Sequence, residues 1–194
     1  MPDLHPFTFD RIIRAVERVR ERLLKSTAAI DSASIPYAAT GGNAVAYWVA
    51  SVDPAGVRNT PDVDLLVQRS DRERVRSALE SAGFIHRNVD GAELFLENPE
   101  DANRHATRLF FASEYLRPDD PFPLPKVSES EPTPDFQVLS LEALARMELI
   151  IFKRVNRVHL RDLIDINLID ATWPSRFPSP LAERLQELLD DPDG

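Results

Sequence analysis

Residues 37–68 read YAATGGNAVAYWVASVDPAGVRNTPDVDLLVQ. A short apolar segment over 35–40 runs into Gly41-Gly42, which predicts a strand ending in a glycine turn. Residues 43–52 are apolar on most sides and predict a buried helix. Pro54, Gly56 and Pro61 then break the chain into a loop, and Leu65, Leu66 and Val67 predict a second strand over 63–68.

Three physical devices meet here. A glycine pair between strand and helix lets the backbone approach a ligand closely, and the free N–H groups of a helix start favour phosphate. Asp62 and Asp64 are two apart, so on a strand both side chains point to one face. Carboxylates that close repel each other unless a cation lies between them, and Mg²⁺ (or Mn²⁺) takes one or two carboxylates together with substrate phosphates. Arg58, just upstream, suits bidentate contact with a phosphate. The plainer alternative is that Asp62 and Asp64 face solvent or pair with Arg58, and that Gly41-Gly42 is only a tight turn.

Upstream, Ile12, Ile13, Val16, Val19, Leu23 and Leu24 recur at three- and four-residue steps and predict an amphipathic helix over 9–24. Thr8 is its candidate cap, and Asp10 suits its positive end. Downstream, Ser70-Asp71-Arg72-Glu73 matches a capping box, opening a helix that stops at Gly83. Residues 84–88 and 92–97 predict a strand pair around an Asp90-Gly91 turn, and 106–112 a further strand. Residues 117–135 hold six prolines and predict an extended arm over the core. A strand over 136–139 and helices over 141–155, 160–169 and 180–189 complete the chain. The fold expected is α/β (α+β): a mixed sheet flanked by helices, which the element order puts on one side, with a helical subdomain behind the arm. Its division is a core over 1–117, the proline-rich arm over 118–135, and a C-terminal strand and helical subdomain over 136–194.

The chain has 194 residues, enough for a hydrophobic core. A net charge of -9 disfavours non-specific coating of a nucleic-acid backbone, although a local basic patch can hold a nucleotide or an RNA end. The absence of cysteine excludes disulfides, thiolate zinc sites and cysteine nucleophiles. No apolar run reaches transmembrane length, and the first thirty residues carry no leader pattern, so the expectation is a cytoplasmic protein without a membrane partner.

With Gly41-Gly42, the spacing Arg58-x-Thr60-x-Asp62-x-Asp64, and the later Arg161-Asp162 with Asp165, residues 35–170 resemble the nucleotidyltransferase superfamily. The form is similar to the branch that includes the AbiEii toxins of type IV toxin–antitoxin systems. The resemblance implies that Asp62 and Asp64 are catalytic and bind the metal. It implies that a nucleoside triphosphate lies along Gly41, Gly42 and Asn43, with Arg58, Thr60 and Lys153 as further contacts. The implied reaction moves a nucleoside monophosphate to an acceptor (an RNA end, a protein or a small molecule) and releases pyrophosphate.

Three departures stand beside the resemblance. Asn43 replaces a frequent serine. The strand at 105–113 has no acid, so Thr107 or Arg108 stands where a third carboxylate is expected, with Glu93 and Glu114 the nearest substitutes. Glu148 occupies the branch's lysine position, with Lys153 five residues on. These departures support an alternative: a catalytically degenerate nucleotide- or protein-binding module related to toxin–antitoxin pairs. On a continuous helix Lys153, Arg157 and Arg161 share one face. His105, His159, Tyr47 and Trp48 read as structural.

Overall fold

The computed structural model describes residues 9–191; Thr8, the expected cap of the first helix, lies outside them. That helix, α1 (Phe9–Ser32), outlasts its apolar periodicity. Ser26 and Thr27 donate their hydroxyls to the carbonyls of Arg22 and Leu23, at 2.8 and 2.9 Å, so polar residues continue the helix without exposing a donor. Ile30 in the added turns is fully buried.

The elements that follow are β1 (Tyr37–Thr40), α2 (Gly41–Ala50), β2 (Val63–Val67), α3 (Arg72–Ser81), β3 (Ile85–Val89), β4 (Ala92–Leu96) and β5 (Thr107–Phe111). After the proline segment come β6 (Ser130–Pro132), β7 (Gln137–Leu139), α4 (Leu141–Ile151), α5 (Arg154–Asp165) and α6 (Ser179–Asp190). Among the described residues the strands form one seven-stranded mixed sheet in the order β3-β4-β5-β2-β1-β7-β6. The pairs β2–β5 and β1–β7 are parallel and the rest antiparallel. Asp90 and Gly91 both take positive φ, as the predicted hairpin turn requires.

The expected mixed sheet flanked by helices is found, but the helices cover both of its faces rather than one. Ala38, Leu66 and Val138 pack beneath α2, α4, α5 and α6, whereas Ala39, Leu65 and Val67 pack beneath α1 and α3 on the opposite face. The central strands carry apolar runs rather than alternation because both of their faces are covered.

Three local expectations also change. The capping box does not form: Asp71 is the N-cap of α3 and makes no side-chain cap bond, while Glu73 pairs with Arg72. The proline arm is not only a strap. Leu124 and Val127 are buried, and Ser130–Pro132 joins the sheet as an edge strand, where proline costs no ladder bond. The helix expected over 141–155 ends at Ile151, because Phe152 is left-handed (φ 45°). A new helix starts beyond Lys153, whose N–H is accepted by Asn156 Oδ1 at 3.0 Å. Among the described residues no helix is long and apolar enough to cross a membrane.

Candidate functional site

The end of β1, the start of α2 and the edges of β2 and β5 form one wall of a cleft of about 660 Å³; α4 and α5 form the other. At its floor Gly41 has φ +59°, and a Cβ there would lie 2.5 Å from Asp64 Oδ2. A Cβ on Gly42 would lie 2.7 Å from Thr60 Cβ. The glycine pair therefore admits Asp64 and Thr60 against the first turn of α2, which no larger residue allows.

Asp62 is held from three sides. Thr60 Oγ1 donates to its Oδ1 at 2.6 Å, Arg108 Nη2 donates to its Oδ2 at 2.6 Å, and Asn43 Nδ2 donates to its main-chain carbonyl at 2.7 Å. Asp64 and Arg108 are direct partners in the parallel β2–β5 register, so the guanidinium rises between the two carboxylates. Its Nε lies 3.2 Å from Asp64 Oδ1, but without hydrogen-bond geometry: that oxygen is buried and has no hydrogen-bond partner among the described residues. Burial pushes the Asp64 carboxyl up to about 7; Arg108 and His159 oppose this, and the charges of Asp62 and Glu148 add to it.

The facing wall carries a second polar group. Glu148 lies mid-way along α4 at 1% exposure, and its Oε2 accepts from Asn156 Nδ2 at 2.6 Å. The same oxygen lies 3.2 Å from His159 Nδ1. Burial lowers the proton affinity of His159, but the hydrogen bond and charge of Glu148 and the charges of Asp64 and Asp162 outweigh it, so the imidazole titrates above its ordinary value.

Of the residues that the resemblance implied for the site, Gly41, Gly42, Thr60, Asp62, Asp64 and Lys153 line the cleft. Arg58 does not: its Nε donates to Asp162 Oδ1 at 2.6 Å, tying the β2 approach to α5. Asn43 spends its amide on the Asp62 backbone rather than facing the cleft. The basic face expected on α5 turns toward α6, with Arg157 on Glu187 and Arg161 on the Asp191 carbonyl. Glu114 is on the wall but is paired with Arg69, and Glu93 lies on the opposite face of the sheet. Neither joins Asp62 and Asp64. In the sequence Glu148 stood out only as a departure from the lysine position and His159 read as structural; the two were not brought together. The available signal was an acid inside the apolar run LEALARMELII, since a charge buried there needs a partner.

The sequence resemblance implies a divalent cation. Among the described residues no group of three His, Cys, Asp or Glu side chains is arranged to hold a metal. Two carboxylates on one face, one of them with an orphaned buried oxygen, fit a single hard cation whose remaining ligands come from phosphate and water. They do not form a closed three-carboxylate centre.

No protein-family model and no curated protein matches this chain. Among solved structures it is similar to JHP933 from Helicobacter pylori, with a TM-score of 0.50 and 18% identity over 97% of this chain and 78% of that one. It is also similar to the crystal structure of a "putative nucleotidyltransferase from H. pylori", with a TM-score of 0.50 and 15% identity over 96% of this chain and 80% of that one. A looser overlap, TM-score 0.44 at 16% identity, covers 87% of this chain and 93% of ANT(2'')-Ia in complex with adenylyl-2''-tobramycin. The chain has a nucleotidyltransferase-like fold.

Proposed function

We propose that the cleft binds a nucleoside triphosphate with Mg²⁺ (or Mn²⁺) and transfers its nucleoside monophosphate to an acceptor hydroxyl, releasing pyrophosphate. The observation that carries this reading is the orphaned, buried Asp64 Oδ1 beside Asp62 and the glycine turn. An acid left short of partners is kept where another ligand completes it. Asp62 and Asp64 would hold the cation, which would supply neutralisation of charge on the phosphates. The N–H groups of Gly41 and Gly42 at the start of α2 cradle the phosphate chain. Arg108, which lies between the two carboxylates, would be a guanidinium within reach of a phosphate oxygen once Asp62 and Asp64 held the cation. The core over 1–117 then supplies cation and phosphate contacts, and the tail over 136–194 the opposite wall.

The test is the melting temperature of wild type and Asp62→Ala with each of the four nucleoside triphosphates, with and without Mg²⁺, followed by pyrophosphate release. The expected result is a Mg²⁺-dependent rise of several degrees with at least one nucleotide and measurable pyrophosphate release, both lost in Asp62→Ala while its circular dichroism is unchanged. Undiminished pyrophosphate release by Asp62→Ala overturns the assignment.

One observation favours a second reading. Arg108 already occupies the position between the carboxylates, and among the described residues no third acid joins them in a group arranged to hold a metal. In this reading the chain is a degenerate module that binds nucleotide phosphates, or a partner protein, through Arg108 without a cation. It predicts nucleotide binding that survives EDTA, is lost in Arg108→Ala and yields no pyrophosphate.

A further inference from the structure

Glu148 and His159 are not used by the reading above, yet both line the same cleft. Glu148 sits in an otherwise apolar helix at 1% exposure, where an unpaired carboxylate is strongly disfavoured. Its hydrogen-bond partners are the neutral Asn156 amide and His159, so the imidazole is its nearest available cation. This fixes the ring: Nδ1 faces Glu148, and Nε2 has no hydrogen-bond partner among the described residues. The pair also lies on a particular side of the carboxylates. Arg108 flanks Asp64 from β5, whereas the glycine turn flanks it from β1. Thr40, the residue before that turn, contacts Met147, the neighbour of Glu148. α5 packs on α2, and Lys153 at its start lines the same wall. The α4–α5 wall therefore faces the side on which the α2 amides receive phosphate.

We propose that His159, oriented by Glu148, donates its Nε2–H to the terminal phosphates of the bound nucleotide and stays with them as pyrophosphate departs. This rests on reading the cleft as a nucleoside-triphosphate site. In the transfer step the acceptor oxygen bonds to the α-phosphorus and the bond from that phosphorus to the bridging oxygen breaks. The electron pair leaves on pyrophosphate, the acceptor's proton passes to water, and the imidazolium bonds an oxygen that gains charge. Glu148 acts only through His159, as a positioning residue. The charged groups facing the imidazole are Glu148 from α4, Asp64 from β2 and Asp162 from α5.

The test is isothermal titration, with Mg²⁺, of inorganic pyrophosphate and of the triphosphate and monophosphate of the base that wild type binds best. The proteins are wild type, His159→Gln and Glu148→Gln, each checked for folding by circular dichroism. His159→Gln is expected to weaken pyrophosphate and triphosphate roughly ten- to hundredfold while leaving the monophosphate within about twofold. Glu148→Gln, which keeps the shape and the Asn156 bond, is expected to weaken pyrophosphate and triphosphate by less than His159→Gln does, again leaving the monophosphate within about twofold. Equal losses for monophosphate and triphosphate would reduce His159 to a structural role. Wild-type affinities in both variants would sink this inference while the nucleotide reading stands. Wild type that binds neither triphosphate nor pyrophosphate would sink both.

Discussion

Glu93 and Asp64 are acids two strands apart in one sheet, and they answer burial in opposite ways. Glu93, on β4, faces α3. Its Oε1 accepts from Arg72 Nε at 3.0 Å, Arg72 Nη2 at 2.6 Å and Asn88 Nδ2 at 3.0 Å, and its Oε2 lies 2.5 Å from His86 Nε2. Burial raises its proton affinity, but the bonds and charges of Arg72 and His86 pull it below the usual carboxylate range. Asp64, on the other face, has an orphaned oxygen and a carboxyl raised to about 7. The first network is closed and holds α3 to the sheet; the second is open toward a cleft. Burial alone does not mark a site. An incomplete set of partners facing a cavity does.

The largest expected effect tests that contrast directly. Asp64→Ala should cut pyrophosphate release by roughly a hundredfold or more, whereas Glu93→Gln should leave it within about threefold. In urea unfolding Glu93→Gln should instead cost on the order of 3 kcal/mol, because Arg72 and His86 lose a buried partner. Equal activity losses in the two variants would erase the distinction between the faces.

The next effect is on stability against pH, in metal-free buffer. The folded-state value for Asp64, about 7, lies above its ordinary 3.8, so between those values the native chain binds a proton that the unfolded chain has released. The contribution of Asp64 to stability therefore declines as pH rises from about 4 to about 7, and the full penalty remains above that. Asp64→Asn should be more stable than wild type at pH 8 by on the order of 2 kcal/mol, and close to wild type at pH 4. Thermal melts at both pH values check this, and a destabilised Asn variant at pH 8 would show that Asp64 has partners enough.

The smallest effect compares two glycines that both line the cleft, one pressed against Asp64 and one with open space beside it. Gly91, in the β3–β4 turn, has φ +84° and open space where a Cβ would lie, so Gly91→Ala should cost about 1 kcal/mol of backbone strain and little else. Gly41→Ala adds to similar strain a contact 2.5 Å from Asp64 Oδ2. It should cost roughly 2 kcal/mol and also weaken the Mg²⁺-nucleotide shift in melting temperature. Equal costs, with the nucleotide shift kept, would mean that Asp64 does not need the glycine.

The sequence by itself determined the local elements and the carboxylate pair. Strand, glycine turn, helix and Asp-x-Asp are set by φ/ψ limits, apolar runs and the two-residue period of a strand, all of which act between near neighbours. That is why Gly41, Gly42, Asp62 and Asp64 could be picked out together, while Thr60 entered only through the resemblance; all five line the cleft. What lies across the cleft was not legible. Arg108 reaches Asp62 and Asp64 only because β5 pairs in parallel with β2, and Glu93 is excluded only because the β4–β5 register turns it to the other face. The break at Phe152 lets α5 fold back, setting His159 beside Glu148 and drawing Arg157 and Arg161 away toward α6. These are long-range pairings fixed by sheet register and helix packing. They join residues whose spacing in the chain carries no period, so only the tertiary structure decided which acid is satisfied and which is left open.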